Sequence, residues 1–470
     1  MRYVATTAET READASAAAR VGEGALIARA AFGVANVIAD VLPRVYGTRI
    51  VVLAGRGHNA ADAMLAGRHL ADRGAQVVVL RASDVDGDEH WQAAARGLAF
   101  RDATDRDDLG AVDIVIDGLT GLGSRPGGLT GTAAELARWA AEVEASVVAV
   151  DLPSGVDGET GAADGVTVSA DVTVTFDRLA PGHVVGAGAE RCGQVAVVPV
   201  GLDFRDESPL ALLDADDVAA LLPVPGFDAD KYSRGVVGIV AGGAQYPGAA
   251  VLAVGGAVRA GAGYVRYLGP DLGGPADAVR GRWPSVVAGP GRVDAYVCGP
   301  GVADLDVVRE IVRSDVPAVL DAGALELGAG EFRGRGAPTL LTPHAGEFRR
   351  LTGVDPAGDP LGAARAAASD LGVHVLLKGH RTVVAAPDGR ALINPTGSAW
   401  LSTAGTGDVL AGATGALLAA ASKRGEPDLL RVAAATAFLH GLAAHYAPVP
   451  LNAADLLDAW PRAVAAIRQV

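Results

Sequence analysis

Short apolar runs alternate with glycine-rich polar stretches along almost the whole chain, and their spacing predicts a repeated strand–helix alternation. Residues about 9 to 40 pattern as one or two amphipathic helices, with Leu26, Ile27, Phe32, Val37 and Ile38 on apolar faces. Arg49 to Ala54 (RIVVLA) has the uninterrupted apolar character of a buried parallel strand. A glycine turn, a helix to about Asp72 and a strand from Gln76 to Leu80 follow it. Further strands are expected at Asp113–Ile116, Ser146–Val150, Asp171–Phe176 and Gly193–Pro199. A short helix, Asp214–Leu222, and Pro223, Pro225 and Gly226 put a boundary near 203–226, dividing the chain into 1–210 and 211–470. Beyond it, strands are expected at Val236–Ala241, Ala295–Val297, Ala318–Asp321, Thr339–Leu341 and Val373–Leu377. A strand pair flanks the turn Pro387-Asp388-Gly389, and helices follow from Thr406 to about Ala420, over Val432–Leu442 and over Asn452–Ile467.

This alternation is the signature of α/β architecture, and the strand–glycine turn–helix–strand unit at 49–80 is of Rossmann type. The expected fold is therefore two three-layer αβα domains. Composition sharpens the picture. Half of the 470 residues are apolar and only 4% aromatic, which suits close helix–sheet contact through small side chains. The net charge of −15 argues against nucleic acid or an anionic membrane as general partners. Cys192 and Cys298 are far apart without metal-ligand spacing, and read as reduced core residues. No secretory core opens the chain, and every long apolar run carries charge, so a cytoplasmic location is expected. Only three lysines occur, Lys231, Lys378 and Lys423, so each one is conspicuous.

Chemistry is concentrated at the strand ends. In the first half these read Gly55-Arg56-Gly57-His58-Asn59-Ala60-Ala61-Asp62, Asp117-Gly118-Leu119-Thr120-Gly121-Leu122-Gly123-Ser124-Arg125-Pro126-Gly127 and Asp151-Leu152-Pro153-Ser154-Gly155. Ligands of open α/β sheets bind beyond the carboxyl ends of strands, so the three stretches should converge. Asn59, Asp117 and Ser154 offer oxygen ligands for a hard cation, and Asp151 stands where a catalytic carboxylate would. The plainer reading of His58, Asn59 and Asp62 is as helix caps. In the second half the ends carry Gly242-Gly243, Gly299-Pro300-Gly301, Thr342-Pro343-His344-Ala345-Gly346-Glu347 and Lys378-Gly379-His380-Arg381-Thr382. Last comes Thr403-Ala404-Gly405-Thr406-Gly407-Asp408, a small-residue turn opening a helix with a carboxylate in its first turn. Such a turn attracts anions and can aim a base at a hydroxyl near phosphate.

Taken in order, these motifs resemble the bifunctional NAD(P)H-hydrate repair enzymes. The first-half motifs are similar to the family's epimerase domain, with Ala60, Ala61 and Ala63 where that family has glycines and His58 where it has asparagine. The second half, over about 228–420, is similar to its ribokinase-like dehydratase domain. The resemblance implies hydrate binding in the epimerase by His58 to Asp62, Gly121 to Gly127 and Asp151. It implies potassium held by Asn59, Asp117 and Ser154. In the dehydratase it implies hydrate contacts from Ala249, Gly301, His344 and Asp408, with Asp408 as the base. ADP, accompanied by magnesium, would be held by Lys378, Gly379, His380, Arg381, Thr382 and Gly407, and the amides of Ala404 to Gly407 would hold the moving phosphoryl group. The family also implies a homo-oligomer. Two rivals remain open: a small-molecule kinase on the ribokinase-like fold, and a dehydratase whose N-terminal domain is non-catalytic.

Overall fold

The computed structural model describes residues 1–82, 93–94, 96–123, 127–270, 274–425 and 427–468. The chain divides into two compact units, Tyr3–Ser208 and Pro209–Val470 with Met1–Arg2.

In the first unit an all-parallel sheet has the order Ala99–Asp102, Gln76–Arg81, Arg49–Ala54, Ile114–Gly118, Ser146–Val150, Val172–Phe176, Gln194–Val198. The chain winds outward one way from Arg49–Ala54 and then the other way from Ile114–Gly118, so the switch point lies between these two strands. Alternation along a strand sorts its side chains by face. Ile50, Val52 and Ala54 pack under the helices Glu23–Val41 and His58–Asp72, whereas Val51 and Leu53 face the helix Gly131–Glu142. Glu23–Val41 is long and apolar enough to cross a membrane by length and composition, yet Ala31, Val34, Ala35 and Ile38 are buried in this core. Phe32, expected on the apolar face, is instead 58% exposed and meets His69 edge-on. Its position on the helix points between the buried stripe and solvent.

In the second unit the strands run Leu210–Leu212, Ala391–Ile393, Val383–Ala385, His374–Leu377, Thr339–Leu341, Ala318–Leu320, Ala295–Cys298, Val236–Val240, Tyr264–Tyr267, Val287–Ala288. From His374–Leu377 to Val287–Ala288 all pairs are parallel, and the Val383–Ala385 pairings are antiparallel. Here the switch point falls between Val236–Val240 and Ala295–Cys298. Both cysteines are free and buried, as expected.

Small residues let the helix Thr406–Lys423 lie directly on its surroundings. A methyl at Gly412 would overlap the Ala253 carbonyl, one at Gly256 the Val409 carbonyl, and one at Gly415 the Val297 side chain. Gly405 sits at Leu252 in the same way. The helices Pro247–Arg259 and Thr406–Lys423 therefore run side by side in the same direction with backbones touching, and their N-termini open at one end of the sheet. Gly412→Ala is expected to lower the unfolding free energy of this unit by about 1–3 kcal/mol through overpacking. The check is the urea midpoint at unchanged slope.

Candidate functional site

At the switch point of the first unit lies a cavity of about 560 Å³ whose walls include His58, Asn59, Asp62, Gly121, Leu122, Gly123 and Asp151. Gly57 takes φ +77° and starts the helix His58–Asp72 without any side-chain cap, so the capping reading of His58, Asn59 and Asp62 fails. Instead His58 Nε2 lies 2.6 Å from Glu23 Oε1, and Asn59 Nδ2 donates to the Thr120 carbonyl at 2.9 Å. Asn59 Oδ1 and Asp62 Oδ1 are buried without a hydrogen-bond partner. Ala60, Ala61 and Ala63 are in regular helix and wholly buried, so no glycine-only backbone is asked of them. Their methyls face the core rather than the cavity, and Ala61 N–H donates to the Gly57 carbonyl. Any role for Ala60 and Ala61 in holding a ligand is thereby confined to the Ala60 backbone. Gly127 does not line the cavity, and Ser124, Arg125 and Pro126 fall outside the described residues.

Asp151 adopts φ +65°, an unusual conformation for a residue other than glycine that costs about 1–3 kcal/mol. Three contacts hold it there. Its N–H donates to the Val174 carbonyl at 2.7 Å, His183 Nε2 donates to its carbonyl at 2.7 Å, and Leu122 N–H donates to Oδ2 at 2.8 Å. A Cβ at Gly121 would fall 2.6 Å from Asp151 Oδ2, so the glycine makes room for the carboxylate. Burial pushes the Asp151 carboxyl up, opposed by the Leu122 amide and His183. Burial, then Asp151 and Asp14, push Asp62 well up. Deeper in the unit, Asp117 Oδ1 accepts from Ser154 Oγ at 2.6 Å and Oδ2 from Ser154 N–H at 2.8 Å, while Thr120 N–H donates to Ser154 Oγ at 2.8 Å. Burial raises Asp117 to about 6 against these bonds. One carboxylate, a hydroxyl, the partnerless Asn59 oxygen and the Thr120 carbonyl form a donor set suited to a hard monovalent cation.

In the second unit the strand ends meet around Lys378. Its Nζ lies 2.7 Å from Asp321 Oδ1 and 4.0 Å from Glu347 Oε2, and a Cβ at Gly407 would fall 3.2 Å from it. Asp321 is 1% exposed and also accepts from Thr342 Oγ1 at 2.8 Å. Burial raises the Asp408 carboxyl to about 7, with Asp321 and Glu347 adding to the rise and Lys378 opposing it. Burial works to neutralise Lys378, but Asp321, Glu347 and Asp408 outweigh it and hold its affinity for the proton above the ordinary value. The turn before Asp408 has Gly405 at φ +88°, and His440, kept neutral by burial at about 4, bonds the Thr406 carbonyl at 2.9 Å. Thr406 N–H is taken by the Thr403 carbonyl at 3.3 Å, so the expected four-amide cradle of Ala404 to Gly407 loses that donor.

The remaining expected residues divide. Gly301 (φ +68°) abuts Ala249, and Gly243 abuts the Gly301 carbonyl, so these gather at the switch point. His344 caps the helix Ala345–Thr352 through Nδ1, which accepts from Gly346 and Glu347 N–H at 3.0 and 3.3 Å, while its ring stays open to solvent. Gly379 and His380 are exposed, Arg381 donates to the Pro395 carbonyl at 2.6 Å, and the buried Thr382 hydroxyl turns back to the Gly379 carbonyl at 3.2 Å. Asp321, Glu347, His440 and His183 are the partners that sequence reasoning missed. The strand-end position of Asp321 and the place of Glu347 three residues after His344, the spacing of a capping box, were the available signals. A separate cavity of about 550 Å³, walled by Tyr267, Arg280, Tyr296 and Glu310 among others, contains none of the expected residues. The described residues include no group of three or more His, Cys, Asp or Glu placed to hold a metal.

Two family models match the chain: NAD(P)H-hydrate dehydratase over residues 237–456, and YjeF-related protein N-terminus over residues 23–182. The chain is 41% identical to the bifunctional NAD(P)H-hydrate repair enzyme Nnr of Mycobacterium leprae, over 84% of each chain. The enzyme of the same description from Salinibacter ruber is 35% identical over 78% of each. Among solved structures, the ADP/ATP-dependent NAD(P)H-hydrate dehydratase from Bacillus subtilis, co-crystallised with ATP/Mg2+, is 29% identical with a TM-score of 0.50, covering 55% of this chain and 98% of that one. A ribokinase-like superfamily protein from Enterococcus faecalis, 22% identical with a TM-score of 0.50 over 57% of this chain and 100% of that one, shares the fold. On identity sustained at this level over most of its length, the chain belongs to the bifunctional NAD(P)H-hydrate repair enzymes.

Proposed function

We propose that the two units divide the repair, the first interconverting the R and S hydrates of NADH and NADPH and the second dehydrating the S hydrate. The family assignment removes the ground for a small-molecule kinase. The observation that carries the dehydratase reading is the half-buried Asp408 carboxyl, at a glycine-flanked helix start beside the Lys378–Asp321 pair. A nucleotide donates its terminal phosphoryl group to the C6 hydroxyl, whose proton passes to Asp408. The C6–O bond then breaks with phosphate as leaving group, in place of the much poorer hydroxide, and the C5 proton passes to water, restoring the dihydropyridine ring. With ADP as donor the products are AMP and phosphate. Lys378, beside Gly407, faces the developing phosphoryl charge, and Ala249, Gly301 and His344 bound the hydrate.

Magnesium, if it accompanies the nucleotide, supplies charge neutralisation on the phosphates. Among the described residues no group of three or more His, Cys, Asp or Glu is placed to hold it, so phosphate and water would supply most of its ligands. In the first unit Asp151 is the proton-transferring carboxylate, and Asn59, Asp117 and Ser154, with the Thr120 carbonyl, would hold potassium; its charge would offset that of the buried carboxylates. Both substrates are small molecules, and the enzyme is a homo-oligomer in this reading.

Four outcomes are expected. Asp408→Asn should lose dehydration by about 10²–10⁴-fold yet still equilibrate the two hydrates, followed by restored NADH absorbance and by chromatography of the epimers. Because Asp408 is a base held near pH 7, wild-type kcat for dehydration should rise with pH through about 7 and level above it. A profile flat from pH 5 to 8 would contradict that assignment. Asp151→Asn should leave the S hydrate repaired at the normal rate while the R hydrate disappears only as fast as it epimerises spontaneously; unchanged R-hydrate repair would leave the first unit's chemistry elsewhere. Replacing potassium by a bulky organic cation should slow wild-type epimerisation and leave Asn59→Ala almost indifferent.

A further inference from the structure

We propose that Asp321 is a positioning residue of the dehydratase, holding the Lys378 ammonium at Gly407 and keeping a second negative charge beside the base Asp408. The proposal rests on the reading of Asp408 as base and goes beyond it, because Asp321 belongs to no expected ligand set.

The geometry is specific. Asp321 ends the strand Ala318–Leu320 and Lys378 follows the strand His374–Leu377, with Thr339–Leu341 between them in the sheet. Oδ1 of Asp321 accepts both Lys378 Nζ at 2.7 Å and Thr342 Oγ1 at 2.8 Å, and the residue is 1% exposed. Gly299 and Gly323 pack their backbones against this corner. A Cβ at Gly299 would overlap the Asp321 carbonyl, and one at Gly323 would overlap the Val302 carbonyl, so the backbone that carries Asp321 is closely packed at this corner. An ammonium on a flexible four-carbon stem has many orientations. Here one buried, hydrogen-bonded carboxylate selects the orientation that points at the start of the phosphoryl-binding helix. A buried pair of this kind stabilises little by itself, and its value lies in fixing geometry.

The groups facing Asp408 are Asp321, Glu347 and Lys378; His344 adjoins Glu347 with 3.5 Å between Nε2 and Oε1, and the neutral His440 reaches the Thr406 carbonyl from behind. Asp321→Asn removes one negative charge from this set and releases Lys378 to lean toward Asp408. Both changes favour ionised Asp408, so they act in the same direction on its titration.

The test is Asp321→Asn in the full chain, with the S hydrate and ADP, measured from pH 5 to 9. Lower kcat by about tenfold or more, a raised KM for ADP, and an acid limb displaced downward by about one pH unit are expected. General damage to the fold would lower kcat without moving the limb. Wild-type kcat, or reduced kcat with the limb still near pH 7, would overturn the proposal. If Asp321→Asn does not fold, Asp321→Ser, which removes the same charge with a smaller side chain, should show a downward displacement of the same size; a stationary limb there would overturn it equally. Asp408→Asn separates the two levels. Activity surviving in that variant would sink the base assignment itself, whereas an inactive Asp408→Asn beside a wild-type-like Asp321→Asn would sink only the role of Asp321.

Discussion

A carboxylate removed from water must be matched by donors or accept a proton, and both units are built around a carboxylate left short of full compensation. Among the described residues, the charges that act on Asp408 are the carboxylates of Asp321 and Glu347 and one cation, Lys378, which both of them share. Asp151 has one amide and the Thr175 hydroxyl on its side chain, and three further carboxylates, Asp14, Glu23 and Asp62, line the same cavity. In each case burial is the largest influence and raises the affinity for a proton. The fold sustains this because the carboxylates are fixed by backbone: a helix start for Asp408, and a left-handed residue clamped by His183 for Asp151. Side chains on flexible loops would relax toward water instead.

Glycine makes that fixation close enough to matter. At Gly412 and Gly256 two helix backbones touch, which fixes the helix that Asp408 opens against its neighbour. At Gly121 the missing side chain is the space that the Asp151 carboxylate occupies. The same logic explains why the alanines at 60, 61 and 63 are harmless to the backbone. Only Gly57 in that turn takes a positive φ, and the methyls complete the core, with that of Ala63 lying where a side chain at Gly118 would have to go.

The alternation of strands and helices was legible because runs such as RIVVLA and SVVAV are buried on both faces and end in glycine and polar residues. The order of the motifs pointed to the family before any coordinates. Pairings were not legible. Asp321 and Lys378 are 57 residues apart, and His183 and Asp151 are 32 apart, so neither member announces its partner. Phe32 was misjudged for a related reason, since helical spacing marks an apolar stripe but not where its edge meets solvent. The occupied amide of Thr406 depends on a turn geometry that residue types alone do not specify.

His344 carries one more consequence. Its Nδ1 accepts two backbone amides at the start of the helix Ala345–Thr352, so that nitrogen has no hydrogen to give. In the neutral ring the hydrogen must then reside on Nε2, which lies 3.5 Å from Glu347 Oε1. The helix cap thus fixes a tautomer, and with it a polarity: toward any ligand His344 is a hydrogen-bond donor and never a proton acceptor. A carbonyl, hydroxyl or phosphate oxygen brought to Nε2 would find a donor there.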